Sequence, residues 1–375
     1  MARSRSARFA SLGAASALLL ATAACGGDDS GGSSGGGDGD AASGDGGSVG
    51  VILPDATTSP RWEANDRPSL QKAFEDAGIE ADIQNAGGDV AKFGTICDSM
   101  INAGVNVLMI VNLDSESGSA CLKKAADAGI QSIDYDRLTL GGGASYYVSF
   151  DNVVVGQLMG EGLQTCLDEK KKTKANIVFI NGDPTDNNAA LFKQGYEQAL
   201  KPKIDSGDYT LVGDQTGVWD ANKAGTAFEQ IFTSADGKVD GVVSANDTMA
   251  GGIVARLAAV GLDGKVPVTG QDASVEGLQR VLSGTQCMTV YKDTALEAKA
   301  ASDLAISLIK GESGDALATG SVEDTVLKKD VPSVLAKPES IFAENVKDVI
   351  ADGFQKKEDV CTGDFAKACQ KYGVE

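Results

Sequence analysis

Apolar residues along this chain fall into short runs separated by longer amphipathic stretches, and the alternation repeats. β-Branched and aliphatic runs at Val51-Ile52-Leu53, Ala81-Asp82-Ile83, 105–111 and Gln131-Ser132-Ile133 predict strands. Helical spacing of apolar positions over 68–77, 91–103 and 119–128 predicts the helices between them. Each helix stops at a glycine (Gly78, Gly104, Gly129) that supplies a left-handed cap. The triplets Ala77-Gly78-Ile79, Ala103-Gly104-Val105 and Ala128-Gly129-Ile130 repeat one helix-stop, strand-start device. A second series follows Phe150, with strands at 177–180, 211–213, 239–244 and 266–269 and helices at 189–200, 221–233 and 248–260. The alternation predicts an α/β fold of two similar doubly wound lobes, each a parallel sheet of four to six strands with helices on both faces.

The first 47 residues break this pattern. Arg3, Arg5 and Arg8 precede an apolar, small-residue stretch from 14 to 21, then Thr22-Ala23-Ala24-Cys25. This predicts a secretory signal peptide over 1–24, too short in its apolar core to span a bilayer permanently. A Cys directly after small residues resembles the bacterial lipobox, which implies that Cys25 is lipidated and becomes the mature N-terminus. Residues 26–47 hold eleven Gly, five Asp, four Ser and two Ala. Such a segment builds no core, and residues 25–47 are expected to form a disordered tether to the outer face of a membrane.

Charge narrows the chemistry. The 375 residues include 33 Lys+Arg, 53 Asp+Glu and no histidine, a net charge of −20. Without histidine there is no Ser-His-Asp or Cys-His nucleophile and no zinc site with imidazole ligands. An acidic chain also lacks the basic face that nucleic acid requires. Asp38-Gly39-Asp40 lacks the remaining ligands of a calcium loop, so neither metal nor cofactor is expected.

In open parallel sheets, ligands bind beyond the carboxyl ends of the strands. The residues predicted there are Ser59-Pro60-Arg61-Trp62, Asp134-Tyr135-Asp136-Arg137, Phe150-Asp151-Asn152, 182–188, Gly213-Asp214-Gln215 with Trp219, Asn246-Asp247, Gly270-Gln271-Asp272 and Val290-Tyr291-Lys292. Both tryptophans of the chain are in this set, and a flat indole suits the C–H face of a pyranose. Sugar hydroxyls both donate and accept, so they pair with Asp, Asn, Arg and Lys. Arg61, Arg137 and Lys292 balance Asp136, Asp186 and Asp272, which favours a neutral polyhydroxy ligand over a phosphate or a metal ion.

From about Gly50 to Gly353 the chain resembles the periplasmic sugar-binding proteins of ABC importers. The motifs that carry this are Arg61-Trp62, Tyr135-Asp136-Arg137, Phe150-Asp151-Asn152-Val153, Pro184-Thr185-Asp186-Asn187-Asn188-Ala189, Gly213-Asp214-Gln215, Asn246-Asp247-Thr248-Met249, Gly270-Gln271-Asp272-Ala273 and 284–292. The resemblance implies a monomeric receptor that closes two lobes on a monosaccharide, with xylose favoured, and delivers it to an ABC permease. Arg61, Asp136 and Arg137 would grip the sugar from the first lobe with Trp62 stacking. Asp186, Asn188, Trp219, Asn246 and Asp272 would act from the second lobe and the hinge, and Lys292 from the first. The family topology implies three crossings, near Phe150, Asp272 and 311–321. The first lobe is thus expected to span 48–150 and 273–315, the second 151–272 and 316–353, with a tail at 354–375.

Two other readings fit parts of the pattern: a sugar sensor for a chemoreceptor or sensor kinase, and a carboxylate-based glycosidase. The glycosidase is disfavoured because Arg61, Arg137 and Lys292 hold nearby carboxylates ionised. Export permits disulfides. Cys361–Cys369 closes a short local loop, and Cys97 and Cys121 lie on consecutive helices, so both pairs are expected. Under the crossing scheme Cys166 and Cys287 fall in different lobes, where a bridge would hinder closure, so both are expected as buried thiols.

Overall fold

A computed structural model of the chain describes residues 46–374. The expected signal peptide, the lipidation site Cys25 and the tether up to residue 45 lie outside the described residues. The first lobe opens with β1 (Ser48–Leu53), α1 (Arg67–Asp76), β2 (Glu80–Asn85), α2 (Val90–Ala103), β3 (Val107–Ile110), α3 (Ser115–Asp127), β4 (Gln131–Tyr135) and β5 (Tyr146–Phe150). The chain then enters the second lobe through α4 (Asn152–Glu169), β6 (Ala175–Asn181), α5 (Asn187–Asp205), β7 (Tyr209–Thr216), α6 (Ala221–Ser234), β8 (Gly241–Ser244), α7 (Asp247–Ala259), α8 (Val275–Ser283) and β9 (Thr289–Tyr291). It returns to the first lobe for α9 (Thr294–Ile309), β10 (Gly320–Asp324) and β11 (Lys329–Ala336). It ends in the second with β12 (Glu339–Ile341), α10 (Val346–Ala351), α11 (Lys357–Val360) and α12 (Phe365–Tyr372).

The first sheet runs β10-β11-β5-β4-β3-β1-β2. Its β2-β1-β3-β4-β5 core is parallel and doubly wound, so the switch point lies between β1 and β3. In the second lobe β7-β6-β8 are parallel, and bridges Val242–Val268 and Gln271–Val290 carry the same order on to β9, with antiparallel β12 at the edge. Apolar residues cover both faces of the first sheet, with Leu70, Phe74 and Leu304 on one side and Phe93, Met100 and Leu122 on the other.

Strand pairing corrects the expected crossings and boundaries. The chain does not return to the first lobe at Asp272. Cys287 N donates to Val268 O, Val290 N to Gly270 O and Asp272 N to Val290 O, so 273–291 stays in the second lobe and the crossing falls at 292–293. Nor does the chain leave the first lobe at 311–321. The β10–β11 hairpin joins the first sheet by pairing Ser333–Ala336 with Tyr147–Phe150, which moves the last crossing to 337–338 and enlarges that sheet to seven strands. A hairpin of mixed polar and apolar residues carries no βα alternation, so the pattern hid it. Residues 354–374 are packed: Val360, Cys369 and Val374 are buried with Leu278, Val281 and Tyr291.

The disulfides are Cys97–Cys121 between α2 and α3, Cys361–Cys369 in the C-terminal segment, and Cys166–Cys287. The last overturns the expectation of two buried thiols. With 273–291 in the second lobe, Cys166 on α4 and Cys287 before β9 belong to one lobe, so their bridge leaves the hinge free. Among the described residues no helix is long and apolar enough to cross a membrane.

Candidate functional site

The strand ends of the two lobes face each other across one cavity holding about 320 Å³ of space between atoms. Its lining contains all ten residues singled out in the sequence, Arg61, Trp62, Asp136, Arg137, Asp186, Asn188, Trp219, Asn246, Asp272 and Lys292. It also contains Thr58 and Phe192, which sequence reasoning missed, and Ser59 and Gln271, which stand at predicted strand ends but were not assigned to the ligand.

Each side chain is set by its element. Arg61 precedes a π-helical turn, Trp62–Asp66, that follows β1. Asp136 and Arg137 leave the end of β4, and Lys292 leaves the end of β9, in the crossing itself and not in the first lobe proper. Asp186 and Asn246 cap α5 and α7, accepting from Asn188 N and Met249 N, so they serve the helix and line the cavity at once. Trp219 sits in the β7–α6 turn with φ +61°, next to Val218 at +45°. Its ring lies against Gly182, where a Cβ would overlap it, and edge-on to Phe192 at 6.3 Å.

Asp136 (φ +61°) and Asp272 (φ +102°) also occupy the left-handed region, which costs of order 1–3 kcal/mol per residue and persists only where surroundings enforce it. For Asp136 the enforcement is visible: its carbonyl accepts from Tyr147 Oη, Ser149 Oγ and Asn188 Nδ2 at 2.8–3.0 Å. For Asp272 it comes from below. The buried Asp247 carboxylate accepts from Ser274 N, Thr289 Oγ1 and Gln286 Nε2, clamping the turn that carries Gln271 and Asp272.

Electrostatics in the first lobe centre on Arg61. Its guanidinium chelates Asp66 through Nε and Nη2 (2.9 and 2.7 Å), reaches Asp136 at 2.8 Å and also pairs with Glu297 of α9. Burial opposes the charge on Arg61, but Asp66, Glu297 and Asp136 outweigh it and raise its pKa well above the ordinary value. Burial likewise opposes ionisation of Asp136, yet Arg61, Lys292 and Arg137 together hold it below the usual carboxylate range. Glu297 goes the other way: burial, with Asp136 and Asp66 nearby, pushes it up to about 8 against the pull of Arg61. Asp66 and Glu297 touch no cavity space; they hold Arg61 in place. The only sequence trace of Glu297 is an acid on the buried face of an apolar helix.

The two lobes bond directly across the cavity. Arg137 Nε lies 2.9 Å from Asp186 Oδ2, Asn188 Nδ2 donates to Asp136 Oδ1 (3.1 Å), Ser59 Oγ to Asp272 Oδ2 (2.9 Å) and Asn246 Nδ2 to Thr58 O (3.1 Å). Lys292 Nζ stands 3.2 Å from Asp272 Oδ1 without hydrogen-bond alignment, and 4.0 Å from Asp136. Four buried polar atoms of the lining have no hydrogen-bond partner in the protein: Trp62 Nε1, Trp219 Nε1, Gln271 Oε1 and Asp272 Oδ1. Two donors and two acceptors among the lining residues, beside two indole rings, match a compact molecule carrying both kinds of group.

Comparisons with known proteins agree with this geometry. The family description "Periplasmic binding protein domain" matches residues 49–313. The chain is 37% identical over 317 residues to the D-xylose-binding periplasmic protein of Escherichia coli, covering 83% of this chain and 92% of that one. It is 33% identical over 334 residues to the multiple sugar-binding periplasmic receptor of Rhizobium radiobacter, covering 85% and 93%. A carbohydrate transporter solute-binding protein from Chloroflexus aurantiacus, solved with D-glucose, superimposes with a TM-score of 0.76 at 29% identity, over 83% of this chain and 97% of that one. With its two doubly wound lobes and a cavity between their strand ends, the chain belongs to the periplasmic binding proteins and has their type I fold.

Proposed function

We propose that this protein is an exported receptor that binds one neutral monosaccharide, D-xylose foremost, and delivers it unchanged to an ABC permease. The observation that carries the reading is the cavity itself. It pairs three cations with three carboxylates, both tryptophans of the chain line it, and two donors and two acceptors of its lining residues have no hydrogen-bond partner in the protein. A balanced site disfavours sugar phosphates and sugar acids, whose charge would find no net counter-charge. The likeness to a D-xylose-binding protein supports the pentose, and the glucose-bound neighbour supports a second, weaker hexose ligand. Arg61, Asp136 and Arg137 grip from the first lobe, Asp186, Asn188, Asn246 and Asp272 from the second, and Lys292 from the crossing; Trp62 and Trp219 supply apolar faces. The receptor works as a monomer, held to the outer face of the membrane by a lipid on Cys25 and the Gly/Asp/Ser segment after it.

A thermal-shift screen of a dozen neutral monosaccharides, with their phosphates and uronic acids as controls, tests this. A ligand present at 100 times its dissociation constant adds about 2.7 kcal/mol of stability. D-Xylose is expected to give the largest shift and the charged sugars none. A larger shift with a sugar phosphate than with any neutral sugar contradicts the reading, and hydrolysis of a xyloside would replace it with the glycosidase.

A further inference from the structure

We infer that the C-terminal segment is a closure latch, engaged by Asn65 and acting on affinity without touching the ligand. Asn65 lies in the π-helical turn of the first lobe, four residues after Arg61. Its Nδ2 donates to the carbonyl of Phe354 at 3.1 Å, a bond between positions 289 apart in sequence. Phe354 and Gln355 belong to the second lobe: the Phe354 ring packs edge-on against Tyr291 at 5.0 Å, and Gln355 Nε2 donates to Ala273 O at 3.2 Å, directly behind Asp272. The segment beyond is anchored to α8, where Gln279 Nε2 donates to Asp359 O, and is clipped by Cys361–Cys369. The tail therefore presents a rigid acceptor to the opposite lobe.

This contact differs in kind from the bonds that cross the cavity. Arg137–Asp186, Asn188–Asp136, Ser59–Asp272 and Asn246–Thr58 each involve cavity-lining residues, whereas Asn65, Phe354 and Gln355 do not line the cavity. A bond that a ligand cannot contact lowers the free energy of the closed arrangement equally for every ligand. It scales all affinities through the population of the binding-competent state and leaves their ratios unchanged.

The inference rests on the sugar-binding reading for its titration arm and stands apart from it in its scattering arm. For Asn65→Ala in the full exported chain, titration calorimetry is expected to show binding of D-xylose and of D-glucose weakened by the same factor, about 3- to 10-fold, with faster dissociation. Asn65→Asp, which sets an acceptor against the Phe354 carbonyl, is expected to weaken both further at unchanged far-ultraviolet dichroism. Wild-type affinity in both variants overturns the latch, as does a loss confined to one sugar, which would place Asn65 in the site. If the wild type binds neither sugar, the functional reading fails. The latch is then judged by solution scattering without ligand, where Asn65→Ala must increase the radius of gyration; an unchanged radius overturns it.

Discussion

Replacing Arg137 by alanine is the sharpest probe of the cleft. In the wild type the guanidinium bridges three groups: Nε reaches Asp186 across the lobes at 2.9 Å, Nη1 donates to Asn112 O at 3.1 Å, and the Cζ lies 5.6 Å from the Trp62 ring centroid. Removing it leaves Asp186, 3% exposed, without its counter-ion. Breaking one side of a buried charged hydrogen bond costs about 2–5 kcal/mol. Asp186 has a partial escape, because burial already raises its pKa against the pull of Arg137 and it can take up a proton when the arginine is gone. That places the expected loss at the lower end, about 2–3 kcal/mol, or roughly 30- to 150-fold in affinity. Calorimetric titration with D-xylose reads the loss, with the melting temperature as a check on fold. Arg137→Lys is expected to recover little, since an ammonium cannot serve Asp186 and the Asn112 carbonyl with one planar fork. In the Arg137→Ala, Asp186→Ala double variant the losses should add to well less than their sum. An affinity within threefold of wild type in Arg137→Ala would refute the assignment of this pair to the ligand-bound, closed cleft.

Other expectations follow from the same structure. Both tryptophans line the cavity, so sugar binding should change the intrinsic emission, and Trp62→Phe and Trp219→Phe should each remove part of that change; emission indifferent to saturating sugar would contradict the placement. A methyl at Gly182 would overlap the Trp219 ring, so Gly182→Ala should weaken binding by tenfold or more while the melting temperature moves little. Removing Cys166–Cys287, which links positions 121 apart, should cost about 2–5 kcal/mol of stability yet leave affinity within twofold, as both cysteines lie in one lobe; an affinity collapse in a folded variant would argue otherwise. Asp247, Asp134 and Glu297 are pushed up to about 6, about 7 and about 8, chiefly by burial, so the folded chain binds more protons than the unfolded one from the ordinary carboxylate range up to those values. Stability should therefore be greatest in mild acid and fall as pH rises toward 8, and Glu297→Gln should flatten the upper part of that fall; a melting temperature rising from pH 6 to 8 would contradict the burial of these carboxyls.

The lobes and the cavity were legible in the sequence because periodicity and strand-end chemistry are local. Helix-stop glycines at 78, 104 and 129 mark a βα unit without reference to anything distant, and polar residues after a strand point to the ligand side of a parallel sheet. What escaped is what depends on pairing between remote segments. Nothing in 329–336 announces that it will lie beside β5, and nothing in 287–291 announces pairing to Gly270 and Val268. The first of these moved the last crossing; the second moved the one before it, put Lys292 in that crossing, and hid the Cys166–Cys287 bridge. Asp66 and Glu297 escaped because a buried acid is indistinguishable in sequence from a solvated one until the arginine it holds is placed.

The central claim is that the cleft takes up one neutral monosaccharide and releases it unchanged. It is tested most directly by calorimetric titration of D-xylose into the purified chain, with recovery of the sugar afterwards. A single binding event with one sugar per chain is expected, competed by excess D-glucose, with intact xylose on release. No heat with either sugar, or xylose recovered in altered form, would contradict it.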